Sequence, residues 1–301
     1  ACCSQGPAPG HLPDQVGARH LLSAGHLGPR RYTLPRSEPR HIESTGQTPD
    51  NLCIYYQLWL PEQPAKAVVC LVHGLGEHSG RYAHVAAALN NAGYALFGFD
   101  LRGHGRSDGP RGHTPAYDVL MTDIDRLLDE AAARYSGLPR FLYGHSLGGN
   151  LVLNHALRRK PAIAGVIATS PAIRVAVPLP ASQVALAKVM NRVRPGLQIA
   201  NGLALEGLAR DPGVISAYTS DPLVHNKISV RLALGMFEAG EWALAHAAEF
   251  PSPLLLVHGT KDMITSAKAS EEFAAKVPAG RCTLKLWEGF YHETHNEPEK
   301  A

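Results

Sequence analysis

One short stretch of the sequence, YGHSLGGN, holds a serine in a setting that favours nucleophilic chemistry. Ser146 lies between Gly144 and Gly148, directly after an apolar run typical of a strand and directly before a segment with helical spacing. A turn this sharp leaves no room for a Cβ two residues on either side of the serine. The first amides of the helix favour negative charge at this point. We therefore predict Ser146 as the nucleophile of an acyl-transfer reaction.

Acyl transfer also needs two backbone N–H groups that point at the developing oxyanion. The residue after the nucleophile, Leu147, is predicted to supply one of them. The stretch LVHGLGEHSG follows an earlier apolar run, and Gly74 and Gly76 allow its backbone to approach the serine closely. We predict Leu75 N–H in this loop as the second donor.

Glycine-rich loops also occur in nucleotide and metal sites, but the residues of this loop argue against both. A dinucleotide fingerprint requires a glycine where Ser79 stands, and the chain contains no Gly-Lys pair for a phosphate loop. His73 and His78 have no acidic ligand at a suitable spacing, so we interpret both as structural histidines.

A histidine that takes the serine proton and a carboxylate that orients the histidine complete this chemistry. With the serine on such an elbow, the acid follows it along the chain and the histidine comes last. Asp262 closely follows the apolar run LLLVHG and is expected at the same sheet edge as Ser146. Asp211 and Asp221 each precede a proline, which suits turns or helix starts. We predict Asp262 as the acid.

His292 and His295 are the candidates for the base. The strand-like stretch CTLKLWEG ends at Gly289, which puts His292 in the first loop residues at the active edge. His295 precedes Asn296-Glu297-Pro298, a pattern typical of a helix start, so we predict His292 as the base and His295 as support for the loop. The spacing in HETHNE also differs from the zinc motif H-E-x-x-H, and we predict no metal site.

The secondary structure between these residues must bring them together. Strands are predicted at 52–61, 66–74, 94–100, 140–146, 162–170, 252–259 and 282–289, and helices at 81–93, 116–135, 147–160 and 266–277. This alternation indicates an α/β fold whose central sheet is mostly parallel and carries helices on both faces.

Two segments depart from the alternation. Residues 1–45 are rich in Pro, Gly, Arg and Ser without an apolar period, and they predict a flexible leader. Residues 171–225 contain six prolines and helical apolar spacing but no strand. We interpret them as a helical lid inserted between two parts of the core, 46–170 and 226–301.

The composition excludes several classes of protein. A net charge of +3 over 301 residues is too small an excess for a nucleic-acid partner. Five cysteines without a C-x-x-C pair argue against a disulfide framework and favour a reducing compartment. No apolar run reaches the roughly 18–20 residues of a membrane span. We predict a cytoplasmic protein, peripheral to the membrane at most; the sequence gives no indication of oligomeric state.

Four stretches together resemble the monoglyceride lipase and lysophospholipase branch of the α/β-hydrolases. They are residues 73–112, GHSLGG (144–149), HGTKDMI (258–264) and EGFYHETHNEPEK (288–300). The resemblance implies the same triad of Ser146, Asp262 and His292, with Leu75 and Leu147 as the oxyanion amides. It also implies a hydrophobic acyl tunnel under a lid and no cofactor.

The end of the sequence departs from this branch. Its members usually continue with a helix after the NEPE segment, whereas this sequence ends at Ala301, nine residues beyond His292. We therefore expect a terminal helix that is cut short.

The predicted lid contains an apolar stripe at helical spacing, formed by Leu186, Val189, Met190 and Val193, with basic residues outside it. Such a segment suits a lipid substrate and transient contact with a membrane surface, and it equally suits packing on the core. We predict hydrolysis of lipid carboxylic esters, foremost monoacylglycerols, through an acyl-enzyme. A general carboxylesterase, a lysophospholipase or a peptidase on the same scaffold are the alternatives, followed by a non-catalytic binding homologue.

Overall fold

An eight-stranded, mostly parallel sheet forms the centre of the protein. The computed structural model describes residues 41–299, and the strands in that part are β1 His41–Gln47, β2 Cys53–Trp59, β3 Val68–Val72, β4 Ala95–Phe99, β5 Arg140–His145, β6 Gly165–Thr169, β7 Gln198–Ala200, β8 Lys227–Ser229, β9 Leu254–Gly259 and β10 Cys282–Trp287. The sheet has the order β1-β2-β4-β3-β5-β6-β9-β10, and β7 and β8 pair separately. Because β2 alone runs against its neighbours, the strands from β4 to β10 in this order end at one common edge.

Helices connect these strands. They are α1 Ala83–Asn91, α2 Tyr117–Arg134, α3 Leu147–Arg159, α4 Ala181–Val193, α5 Pro212–Ser220, α6 Val230–His246 and α7 Ala267–Lys276. The local sequence determines where several of these helices begin. Asp211 accepts a hydrogen bond from Gly213 N–H before α5, and Ser266 accepts one from Ala269 N–H before α7, so both supply an acceptor to the otherwise unpaired first turn.

The core lies on both faces of the sheet. One face packs against α2, α3, α6 and α7, and fully buried side chains such as Ile124, Leu151 and Phe273 fill it. A smaller cluster that includes Tyr82, Leu71 and Leu96 lies under α1 on the other face. All five residues of β3 are buried, as the continuous apolar run predicted, and the prediction of a parallel sheet covered on both faces is confirmed.

The segment boundaries differ in part from those predicted. Residues 41–45 belong to β1, which pairs along its whole length with β2, so the predicted leader is wrong for these five positions; residues 1–40 lie outside the described part. The insertion 171–225 does contain a strand, because β7 pairs with β8 just beyond it. Asn296 ends a 3₁₀ turn, Thr294–Asn296, and does not begin an α-helix within the described residues.

Candidate active site

Ser146 lies on a strained turn between β5 and α3. Its φ of 54° and ψ of −116° are a conformation that non-glycine residues rarely adopt. A Cβ on Gly144 would lie 2.2 Å from the carbonyl oxygen of Gly148, and a Cβ on Gly148 would lie 1.9 Å from that of Val72. Glycine at both positions therefore allows the turn to close over the end of the sheet.

Asp262 lies in the turn after β9, with a fully buried side chain. Its Oδ1 accepts hydrogen bonds from the backbone N–H groups of Ile264 at 2.7 Å and Thr265 at 2.9 Å. Its Oδ2 lies 2.7 Å from Nδ1 of His292, 3.0 Å from Nε2 of His258 and 2.8 Å from the hydroxyl of Thr265. Burial acts to raise the pKa of Asp262, but the neighbouring His292 and the hydrogen bonds from both histidines hold it well below its usual range.

His292 lies in the loop after β10 and is 3% exposed. The hydroxyl of Ser170 donates to its carbonyl oxygen at 2.6 Å, and its own N–H donates to the carbonyl of Gly207 at 3.2 Å. Burial disfavours the charged ring, yet the charge and the hydrogen bond of Asp262 outweigh burial and raise the pKa of His292. A ring held in this way is suited to accept a proton on its free Nε2.

The loop after β3 lies directly over the serine. A Cβ on Gly74 would be 3.2 Å from the Cβ of Ser146, and the N–H of Gly74 donates to Oε1 of Glu77 at 2.6 Å. Within residues 41–299, the N–H groups of Leu75 and Leu147 donate to no protein acceptor. Both amides therefore remain available to a ligand beside Ser146.

A buried ion-pair cluster connects this loop to the histidine loop. Arg81 contacts Glu77 at 2.5 Å and both carboxylate oxygens of Glu293 at 2.7 and 2.8 Å. The two glutamate side chains are 3% and 2% exposed. Burial acts to raise the pKa of Glu77, and Arg81 holds it well below its usual range. This cluster was not predicted from the sequence, although the Glu-x-x-x-Arg spacing of Glu77 and Arg81 beside the glycine loop is a signal for it.

The remaining histidines near the site have structural contacts. His295 stacks on Tyr82 with ring centroids 5.0 Å apart, and burial lowers its pKa to about 4. His73 forms hydrogen bonds with the carbonyl of Gly74 and the N–H of Leu101 through its two ring nitrogens.

In the described part of the chain, no group of three or more His, Cys, Asp or Glu side chains could hold a metal ion. No helix in residues 41–299 is long and apolar enough to cross a membrane.

The structure brings the sequence-predicted residues together at one sheet edge. Ser146, His292 and Leu75 line a single pocket, to which Glu77 and Tyr218 also contribute. Asp262 lies behind His292, and Asp211 and Asp221 belong to α5 and its ends instead. His258 and Thr265, which also contact Asp262, were not predicted.

The strand order, the serine elbow and the histidine-carboxylate pair at the same edge define an α/β-hydrolase. Residues 63–299 match the serine aminopeptidase, S33 family, and the chain belongs to that family. A monoacylglycerol lipase of Mycolicibacterium smegmatis is 36% identical over 82% of this chain and 88% of its own length. The crystal structure of Paleococcus ferrophilus monoacylglycerol lipase is 40% identical, with a TM-score of 0.75, over 82% of this chain and 93% of that one.

A third relative is much longer than this chain. An uncharacterized abhydrolase domain-containing protein of Dictyostelium discoideum is 40% identical over 83% of this chain, which spans 27% of that relative. The chain belongs to the monoglyceride lipase branch of the α/β-hydrolases and is a carboxylic ester hydrolase.

Proposed function

We propose that the protein hydrolyses monoacylglycerols through a triad of Ser146, His292 and Asp262. The observation that carries this proposal is the 2.7 Å contact between His292 and the buried carboxylate of Asp262, with Ser146 in the same pocket. The predicted chain order of serine, acid and histidine agrees with this arrangement.

In the proposed reaction, Nε2 of His292 removes the proton of Ser146 as its hydroxyl attacks the ester carbonyl. The tetrahedral oxyanion accepts hydrogen bonds from the N–H groups of Leu75 and Leu147. The imidazolium then protonates the departing alcohol, and Asp262 stabilises its charge without taking up the proton. Water, activated by the same histidine, releases the fatty acid and restores the serine.

The lining of the pocket favours a substrate with one polar and one apolar end. Leu75, Leu203 and Leu208 supply apolar surface, while Glu77, Tyr218 and Glu293 supply polar groups. The hydroxyl of Tyr218 on this wall can both donate and accept hydrogen bonds. A glycerol leaving group, with two free hydroxyls, is suited to such a wall.

The insertion 171–225 is proposed to act as a lid that contacts membranes. Helix α4 contributes no buried residue, and Leu186, Val189 and Val193 are 61%, 56% and 75% exposed. Exposed Val177, Leu179 and Ile199 lie on the same insertion. Since most of the predicted stripe faces solvent, membrane contact is favoured over packing on the core.

Hydrolysis of a panel of glycerides tests the proposal. We expect 1-monoacylglycerols with medium-to-long chains to react faster than di- and triacylglycerols, lysophospholipids or short acetyl esters. Wild-type enzyme should also react with a fluorophosphonate probe, and Ser146→Ala should neither hydrolyse esters nor be labelled. A maximum at acetate or at lysophospholipids would reject the substrate class, and an active Ser146→Ala enzyme would reject the triad.

A further inference from the structure

A second imidazole contacts the carboxylate that holds the proposed base. His258, near the end of β9, has no exposed surface, and its Nε2 lies 3.0 Å from Oδ2 of Asp262. The same oxygen contacts Nδ1 of His292 at 2.7 Å. On its far side, Nδ1 of His258 lies 2.8 Å from the hydroxyl of the fully buried Ser270.

The contact with Asp262 places a proton on Nε2 of the His258 ring. An ionised carboxylate only accepts hydrogen bonds, so the ring nitrogen that faces Asp262 must carry a proton in His258 as in His292. The hydroxyl of Ser270 pairs with the other nitrogen, so both ring nitrogens of His258 are satisfied.

Asp262 depends on such donors because its side chain is completely withdrawn from water. A buried carboxylate without hydrogen-bond donors favours the neutral form. The two backbone donors bind Oδ1, so Oδ2 depends on side chains: His292, His258 and Thr265. Of these, His292 gains and then loses a proton in the proposed reaction. His258 does not line the pocket that holds Ser146.

We propose that His258 is a positioning residue that acts on the reaction through Asp262. Its Nε2–H keeps Oδ2 pointed at His292 and the carboxylate ionised while the imidazolium forms. The inference rests on the proposed function, since it assumes that Asp262 and His292 work as acid and base.

Three substitutions of His258 separate this role from simple packing. His258→Gln places an amide N–H near the position of Nε2–H, whereas His258→Leu fills similar space without a donor. With a soluble p-nitrophenyl ester, we expect His258→Leu to lower kcat roughly 10- to 100-fold with little change in KM, the loss of one hydrogen bond to a charged group. His258→Gln should recover most of that loss. His258→Asn, whose amide is too short to reach Oδ2, should not.

A buried histidine elsewhere provides the matched control. His155 on α3 also has a fully buried side chain and contacts a carboxylate, Asp125, at 2.7 Å. His155→Leu is expected to lower the free energy of unfolding without lowering kcat. Should His258→Leu fail to fold, the Gln and Asn variants make the same comparison between two amides of different reach.

A double-mutant cycle tests whether the effect passes through Asp262. In an Asp262→Ala background, His258→Leu should change kcat by less than roughly twofold, because the carboxylate it serves is gone. Wild-type kcat in His258→Leu, equal losses in the Gln and Leu variants, or full additivity with Asp262→Ala would each overturn the inference. The proposed triad is tested independently by Ser146→Ala, because the expected inactivity of that variant does not depend on the results at His258.

Discussion

Replacing Arg81 with leucine leaves two buried carboxylates without their cation. Arg81 donates three hydrogen bonds of 2.5–2.8 Å to Glu77 and Glu293, and both glutamate side chains are at most 3% exposed. Removing one partner from a buried ion pair costs about 3–5 kcal/mol. We therefore expect Arg81→Leu to lower the free energy of unfolding at pH 8 by that amount, a large part of the roughly 5–15 kcal/mol of a typical domain.

The loss should depend on pH. In the wild-type protein Arg81 holds the pKa of Glu77 below its usual range, so this stabilisation is complete at neutral pH and is lost only as the pH falls through the acid range. Without Arg81, burial acts to raise the pKa of Glu77 against fewer opposing groups, so we expect the folded variant to bind a proton more readily than the folded wild-type protein. Arg81→Leu should therefore be less destabilised at pH 5 than at pH 8.

Urea unfolding followed by circular dichroism at both pH values measures these differences. Arg174→Leu is the matched control, because Arg174 also lies between two glutamates, Glu241 and Glu272, but on the surface and 41% exposed. Exposed pairs contribute about 0–1 kcal/mol, so this variant should lose little stability at either pH. Equal losses in the two variants, or an Arg81→Leu loss that does not change with pH, would refute the reasoning.

Three further predictions concern the site and the insertion. Because the pKa of His292 is raised, the acid limb of the pH profile of kcat/KM should lie above the roughly 6.5 of an ordinary histidine, and Asp262→Asn should move it to lower pH. Gly148→Ala should lose solubility or about 1–3 kcal/mol of unfolding free energy, whereas Gly196→Ala, whose Cβ would meet its nearest neighbour at 3.7 Å, should lose little. The double variant Leu186→Glu, Val193→Glu should sediment less with anionic lipid vesicles than the wild-type protein does, while its hydrolysis of a soluble ester stays within about twofold of wild type. Unchanged sedimentation would argue against the membrane-contacting lid.

The sequence predicted those elements whose signal is local. The apolar run of β3 and the alternation of strands and helices are local patterns, and they predicted the parallel sheet correctly. Strand β1 was missed because HIESTGQ has little apolar content and is only half-buried along its middle. The pairing of Arg81 with Glu293 spans 212 positions, and no local pattern indicates which distant carboxylate a buried arginine will meet.

The same distinction applies to Asp262. Its place after an apolar strand was enough to predict an acid at the active edge. Its donors were not predicted, because His258 reads as part of an apolar strand and Thr265 as an ordinary turn residue. Their contribution appears only when the turn folds back and puts both side chains within 3.0 Å of one carboxylate oxygen.

The two halves of the insertion differ in how they are attached to the loop that carries Leu75. The N–H of His225 donates to the carbonyl of Gly76 at 2.9 Å, and Asp221 contacts His78 at 2.8 Å, so the end of the insertion is fixed to this loop. Gly76 has a φ of +80°, and a Cβ there would lie 2.4 Å from the carbonyl oxygen of His225, so this close contact needs glycine.

Helix α4, in contrast, buries none of its side chains. If the insertion opens for a lipid, the least costly movement is that of α4, because movement of residues 221–225 would displace the backbone that presents the Leu75 amide. In the proposed mechanism, substrate entry and transition-state stabilisation would then depend on separate parts of one insertion.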